Sequence, residues 1–408
     1  MMDFERAAVP YWPIRRRKLL RRNLFLAFAL CIVLAAIFGI RYRLMSEPLA
    51  ARVFDEVAST VSLRYYDRGF HGLDWPSLVS SYRARVIAAR DEAERYRLMQ
   101  AMLARLGDSH TAIFSPAAVA RVYDGGAADL GAAFVRIGND RVVLRVAPNS
   151  PAAEAGFRPG FIVAESNAAS DSGLLRTYAI RDPLSGRSWQ KRLRPSGSRS
   201  AGYGALPSDL DWGVAAPGVA YLRMGSFPND IEQALNWAIS DVRTKPALIL
   251  DLRENPGGLI DAVDATAGVF LPRNTPVVSG AGRYKIFGRR WFNATDTVGI
   301  HYDGRLAVIV DGSSESGAEA LASTLQIHKR ATIVGMPTAR KVLGVEVEEQ
   351  LPDGGLLRVA TLDMRDANGA LLEGRGVTPD ILVRRTAADI ARGRDPQLRA
   401  ALRAVAVR

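Results

Sequence analysis

Short apolar runs alternate with amphipathic stretches through the second half of the chain. LAVIV (306–310) is uninterrupted and rich in branched side chains, and PALILDLR (246–253) reads as another buried strand, the pattern of parallel strands covered on both faces. VAYLRMGSF (219–227) is also strand-like. IEQALNWAISDV (231–242), a stretch at 259–271, and AEALASTLQ (318–326) place apolar residues at three- and four-residue spacing. In the last of these they are Ala318, Leu321, Ala322 and Leu325. Strand and helix patterns in alternation predict β–α–β packing around a mainly parallel sheet, beginning near residue 210. PDGG (352–355) then reads as a hairpin turn between two alternating strands.

Upstream the period changes. Residues 44–118 read as helical, with VFDEVASTVSLRYY and SLVSSYRARVIAARDEAERYRLMQAMLARLG in helical register. From 119 to 197 the pattern is short strands and turns, with no strong strand over 165–180. Near the start, residues 24–40 form 17 apolar residues without a charge, preceded by Arg15, Arg16, Arg17, Lys18, Arg21 and Arg22. That length and basic flank predict one membrane anchor with the N-terminus in the cytoplasm and the body exported. The charge of +12 is uneven: residues 1–43 hold nine Lys/Arg and two Asp/Glu (9 − 2 = +7), leaving 12 − 7 = +5 for the rest. No basic stretch interleaved with aromatics remains to suggest nucleic acid. The single cysteine, Cys31, lies in the apolar segment, so no disulfide is expected in the exported body.

The candidate chemistry sits where DGSSESG (311–317) joins a strand end to a helix. Ser316 falls at the helix N-terminus, where unpaired amides favour negative charge. A serine there is either a nucleophile whose oxyanion meets those amides or a plain N-cap. NPGG (255–258) makes a similar turn after the DLR strand, and its glycines permit close backbone approach. Asp251 and Arg253, at that strand's end, read as structural polar anchors. His110 and Asp108, in LGDSHT, invite a Ser/His/Asp triad, although a histidine in a helix-ending turn is more often a structural hydrogen-bonder. His71, His301 and His328 have no ligand partners at metal-binding spacing.

DLRENPGG, SSESGAE, RATIVG and the terminal Lys341 of MPTARK together resemble the C-terminal processing (tail-specific) serine protease family. Aligned on Glu319, the resemblance implies Ser316 as nucleophile and Lys341 as general base, with the N–H groups of Gly258 and Gly317 as the oxyanion hole. A lysine acts as base only when neutral, which calls for an apolar pocket. Glu346 takes the place of the family's base-orienting glutamine if one residue is inserted. LGAAFVRI, RVVLRVAP and SWQKRLRP resemble a PDZ domain, whose carboxylate-capturing loop falls on Leu130, Gly131 and Ala132.

The implied architecture is α/β: a crotonase/ClpP-like β–α spiral core over 198–408 and a PDZ-like domain over 119–197. A helical region (44–118) and the anchor with its basic tail (1–43) precede them. LGDSHT, EGRGVTPD (373–380) and DPQLRAAL (395–402) resemble family segments to which no chemistry is assigned. The expected activity is endopeptidase cleavage at or near protein C-termini, without cofactor or metal. Expected partners are peptides with free C-termini, the inner membrane and an activator protein. The alternative is a catalytically impaired relative that holds peptides or a partner through its PDZ-like domain.

Overall fold

The computed structural model describes residues 47–123, 130–166, 176–193, 210–284 and 288–406. Six strands form the central sheet: β1 (Leu210–Ala216), β2 (Val219–Met224), β3 (Ala247–Asp251), β4 (Arg305–Val310), β5 (Thr332–Gly335) and β6 (Ile381–Leu382). They lie side by side in chain order, β1 antiparallel to β2 and the rest parallel. Helices α1 (Ile231–Val242), α2 (Ile260–Phe270) and α3 (Gly317–Ile327) make the crossovers.

The apolar runs are explained by what covers each face. Leu248, Leu250, Val308 and Val310 pack in one cluster with Leu235, Val263 and Leu321 of the three helices. The alternate residues Ala247, Ile249, Ala307 and Ile309 pack instead on Ala400 and Ala401 of the last helix, Pro396–Ala404, and on Val405 just after it. A strand buried on both sides has no polar face to show. Arg253 ties that helix to the end of β3: its guanidinium donates to Asp251, to Asp395 at 2.8 Å and to Gln397 at 3.2 Å. Burial alone would raise the Asp251 carboxyl, but Arg253 overrides it and holds the group below its ordinary range.

The N-terminal region folds as helices Leu49–Arg64, Trp75–Ile87 and Glu92–Leu103. The long periodic stretch 77–107 is broken because Asp91 caps a new helix, accepting from Glu94 N–H at 2.7 Å. After Gly107, at φ 71°, the chain turns through 108–111 into a short strand, Ala112–Phe114. This strand pairs with Leu356–Val359, whose other neighbour is Val347–Gln350 across the PDGG turn. The helices and this sheet share one core, with Phe54, Met99, Ile113, Leu357 and Val359 in contact.

A separate five-stranded antiparallel sheet follows the order 132–137, 140–146, 162–166, 176–181, 188–193. The strand Arg176–Arg181 was not expected from sequence. RTYAIR has two arginines and only two strong apolar positions, Tyr178 and Ile180, both buried on one face. Among the described residues no helix is long and apolar enough to cross a membrane. The expected anchor, 24–40, lies outside the described residues.

Candidate active site

Ser316 is held at φ 55° and ψ −112°. An ordinary N-cap residue sits in the β region, and a non-glycine residue in this conformation persists only where its surroundings enforce it. The enforcement is visible. Ser316 N–H donates to Lys341 O at 3.0 Å and to Glu319 Oε2 at 3.2 Å. The preceding turn is tied to the end of β3: Ser314 Oγ donates to Leu252 O at 2.8 Å, and Glu315 N–H to Asn255 O at 2.9 Å. Glu319, fully buried in α3, also accepts the N–H groups of Arg340 (2.7 Å) and Lys341 (2.9 Å) and the hydroxyl of Thr338. It therefore fixes the Ser316 turn and the 338–341 loop to one another.

The NPGG turn lies against this elbow. Gly257 has φ 94°, and a Cβ there would stand 2.7 Å from both Gly317 N and Ser316 Cβ. Gly258, at φ 146°, leaves no room for a side chain beside Phe227 O. Asn255 holds the turn by accepting Gly257 N–H at 2.8 Å and donating to Met224 O at 3.0 Å. The N–H groups of Gly258 and Gly317 have no acceptor among the described residues.

His110 reaches the site from the turn after the third helix. Its Nε2 is 3.4 Å from Ser316 Oγ, and its Nδ1 is 2.7 Å from Ser109 Oγ. Ser109 Oγ donates in turn to Glu373 Oε2 at 3.0 Å, and Ser109 N–H to Glu373 Oε1 at 3.1 Å. One hydroxyl has one proton. Since Ser109 gives its proton to the carboxylate, it must accept from His110 Nδ1–H, which leaves Nε2 bare toward Ser316. Burial pushes the imidazole below the ordinary histidine range, against the opposing charges of Glu373, Glu315 and Asp108. Asp108 does not bind the ring. Its Oδ1 accepts the backbone N–H groups of His110 (2.8 Å) and Thr111 (2.6 Å), shaping the turn.

Lys341 stands beside Ser316 through its backbone, but its Nζ is 3.3 Å from Glu315 Oε2 and its side chain is 48% exposed. Glu346 is at the surface, 3.8 Å from Arg290, and no contact joins it to Lys341. Leu130, Gly131 and Ala132 lead into the edge strand of the five-stranded sheet. Leu130 is buried there, and Gly131, at φ 69°, is packed against Ser150. Ser109 and Glu373 were missed as site residues. Both lie in segments the sequence marks, LGDSHT and EGRGVTPD, but nothing in either segment says that the two meet.

A serine on an enforced strand-to-helix turn, with free amides beside it and a histidine ring nitrogen facing it, is an arrangement suited to nucleophilic chemistry. Residues 218–383 match the family model for Peptidase family S41, and residues 50–104 that for the Tricorn protease C1 domain. The chloroplastic C-terminal processing peptidase of Tetradesmus obliquus is 26% identical over 364 residues, covering 81% of this chain and 76% of its own. The carboxy-terminal-processing protease of Bartonella bacilliformis is 32% identical over 190 residues, 44% of this chain and 42% of its own. Among solved structures, the photosystem II D1 C-terminal processing protease has a TM-score of 0.59 at 24% identity. It covers 82% of this chain and 93% of its own. Mature CPAF has a TM-score of 0.58 at 14% identity, covering 84% and 94%. The chain is a serine-type peptidase that carries a Peptidase family S41 domain over residues 218–383 and is similar to the C-terminal processing peptidases.

Proposed function

We propose that the protein is an endopeptidase in which Ser316 attacks the scissile carbonyl and His110 serves as general base. The observation that carries this reading is the hydrogen-bonded row Ser316–His110–Ser109–Glu373. His110 Nε2 takes the Ser316 proton as the bond to carbon forms, and later gives it to the leaving amine. Glu373 acts through Ser109 to hold the tautomer and to stabilise the imidazolium. The N–H groups of Gly258 and Gly317 receive the oxyanion, each worth about 10²–10³ in rate by analogy with other oxyanion holes.

A Ser316/Lys341 dyad is the second reading, favoured by the backbone contact between the two residues and by the sequence resemblance. It requires Nζ to leave Glu315 and lose its solvent. Substitution separates the two. His110→Ala should lower kcat by about 10³-fold or more, and Lys341→Ala should cost far less. The reverse order would establish the dyad and remove His110 from the chemistry.

Substrates would be proteins cleaved at or near their C-termini, as the relatives' names say of those proteins. The strand 132–137, at the edge of its sheet, suits addition of an extended peptide, with the amides at 130–132 receiving its carboxylate. The apolar segment 24–40 would anchor the protein in the inner membrane with the catalytic body outside the cytoplasm.

A further inference from the structure

Behind the His110 turn lies a cavity of about 400 Å³ lined by Tyr66, Asp67, Arg68, Ala281, Arg283 and Asp363. Ala360 links its Tyr66 to the His110 turn. Ala360 accepts Tyr66 N–H at 3.1 Å through its carbonyl, and its own N–H donates to Thr111 Oγ1 at 3.2 Å, one residue from His110. The Tyr66 phenol, pushed up to about 12 chiefly by burial, also feels the charges of Asp108 and Glu373.

The acids of this cavity are already engaged. Asp363 accepts from Arg289 at 2.8 Å, from Arg365 at 3.3 Å and from Ala281 N–H at 2.9 Å. Asp67 accepts the N–H groups of Gly69 (3.0 Å) and His71 (2.6 Å). The two lining arginines are not matched in this way. Arg68 lies over the Tyr284 ring at 6.0 Å. Arg283 lies over Phe70 at 5.2 Å and, among the described residues, makes a single hydrogen bond, to Tyr65 O at 3.3 Å. Neither makes a salt bridge among the described residues, and a guanidinium has five donors to place.

We propose that this cavity is a carboxylate subsite of the peptidase, with Arg68 and Arg283 holding either the free C-terminus or an acidic side chain of the bound peptide. It builds on the peptidase reading, and a planar carboxylate is the ligand a guanidinium fork fits best.

The test uses the full chain carrying Ser316→Ala, so that binding is read without turnover and does not depend on which residue is the base. Fluorescein-labelled hexaalanine is titrated in three forms: free carboxylate, carboxamide, and carboxamide with one internal glutamate. At least one carboxylate-bearing form should bind about tenfold more tightly than the neutral peptide. Preference for the free acid identifies the C-terminus as the occupant; preference for the glutamate form identifies a side chain. Arg68→Gln with Arg283→Gln should bring the preference close to unity. Arg68→Gln alone, at an exposed position, should reduce it several-fold and covers the case in which the double variant fails to fold. A preference that survives the arginine substitutions belongs to the loop at 130–132 and overturns the proposal, as does equal binding of all three peptides.

Discussion

The proposed choice of base rests on local surroundings more than on chemistry in principle. A lysine base needs an apolar enclosure, whereas Lys341 is half-exposed with a carboxylate at 3.3 Å. His110 needs only to be neutral, and burial already pushes it below the ordinary histidine range. The sign of the pH dependence follows. With His110 as the base, activity requires the unprotonated imidazole, so kcat/KM should rise with pH and level off below the 6.5 of an ordinary histidine. A pH–rate profile on a short peptide checks this, and a limb several units higher would point back to the lysine. Glu373→Gln should cost about 10²–10⁴-fold in kcat, because an amide can donate to Ser109 Oγ and so weaken the control of the tautomer. Little of this was legible in the sequence. Ser316 announces itself by sitting between an apolar strand and a helix. His110 is 206 residues away, and its orienting partners become visible only when 109 and 373 are folded together. Asp108, two residues before it in sequence, gives its Oδ1 to the backbone instead.

At the scale of elements, the strands and helices of the core were readable because burial on both faces leaves an unbroken apolar run and amphipathic crossovers leave a period. The strand 176–181 was not, since it buries one face only and carries arginines on either end. The active centre depends on two such elements touching at their ends, the NPGG turn and the start of α3. Gly257→Ala would put a methyl group within 2.7 Å of Gly317 N, at a φ of 94° that a side chain resists. The expected result is a fall of about 10²-fold or more in kcat with KM little changed and the fold intact by circular dichroism. The helix α2 behind this turn buries Asp264, whose Oδ1 has no hydrogen-bond partner among the described residues. Its carboxyl is pushed up to about 7, first by burial and then by the charge of Asp261. The folded value lies above the unfolded 3.8, so the folded state binds the extra proton and stability falls as pH rises between the two. Asp264→Asn should flatten that fall, by an amount on the order of 1–3 kcal/mol. Melting temperatures at pH 5 and pH 8 measure it; an unchanged difference between them would mean that Asp264 ionises without cost.

At the scale of the whole molecule, the proposed site is a meeting of three chain regions. Ser316 comes from the central sheet, Glu373 from the segment before β6, and Ser109 and His110 from the end of the helical region. The last of these contributes one short strand, Ala112–Phe114, paired to Leu356–Arg358, besides the core its helices share with that sheet. Ile113 is the buried residue of that strand and shares a core with Leu357. Truncating such a residue to alanine costs about 2–5 kcal/mol in transfer and cavity terms. The loss falls on the docking of the helical region, because the central sheet closes its own core with α1, α2 and α3. Ile113→Ala should therefore lower the urea midpoint for peptidase activity while the midpoint for the central sheet stays near that of the wild type. Trp212 on β1 and Trp237 on α1 give a fluorescence signal for that part of the fold, once the other tryptophans are replaced. If both midpoints fall together, the helical region and the sheet unfold as one cooperative unit, and His110 is held in place by the stability of the whole chain rather than by a local contact.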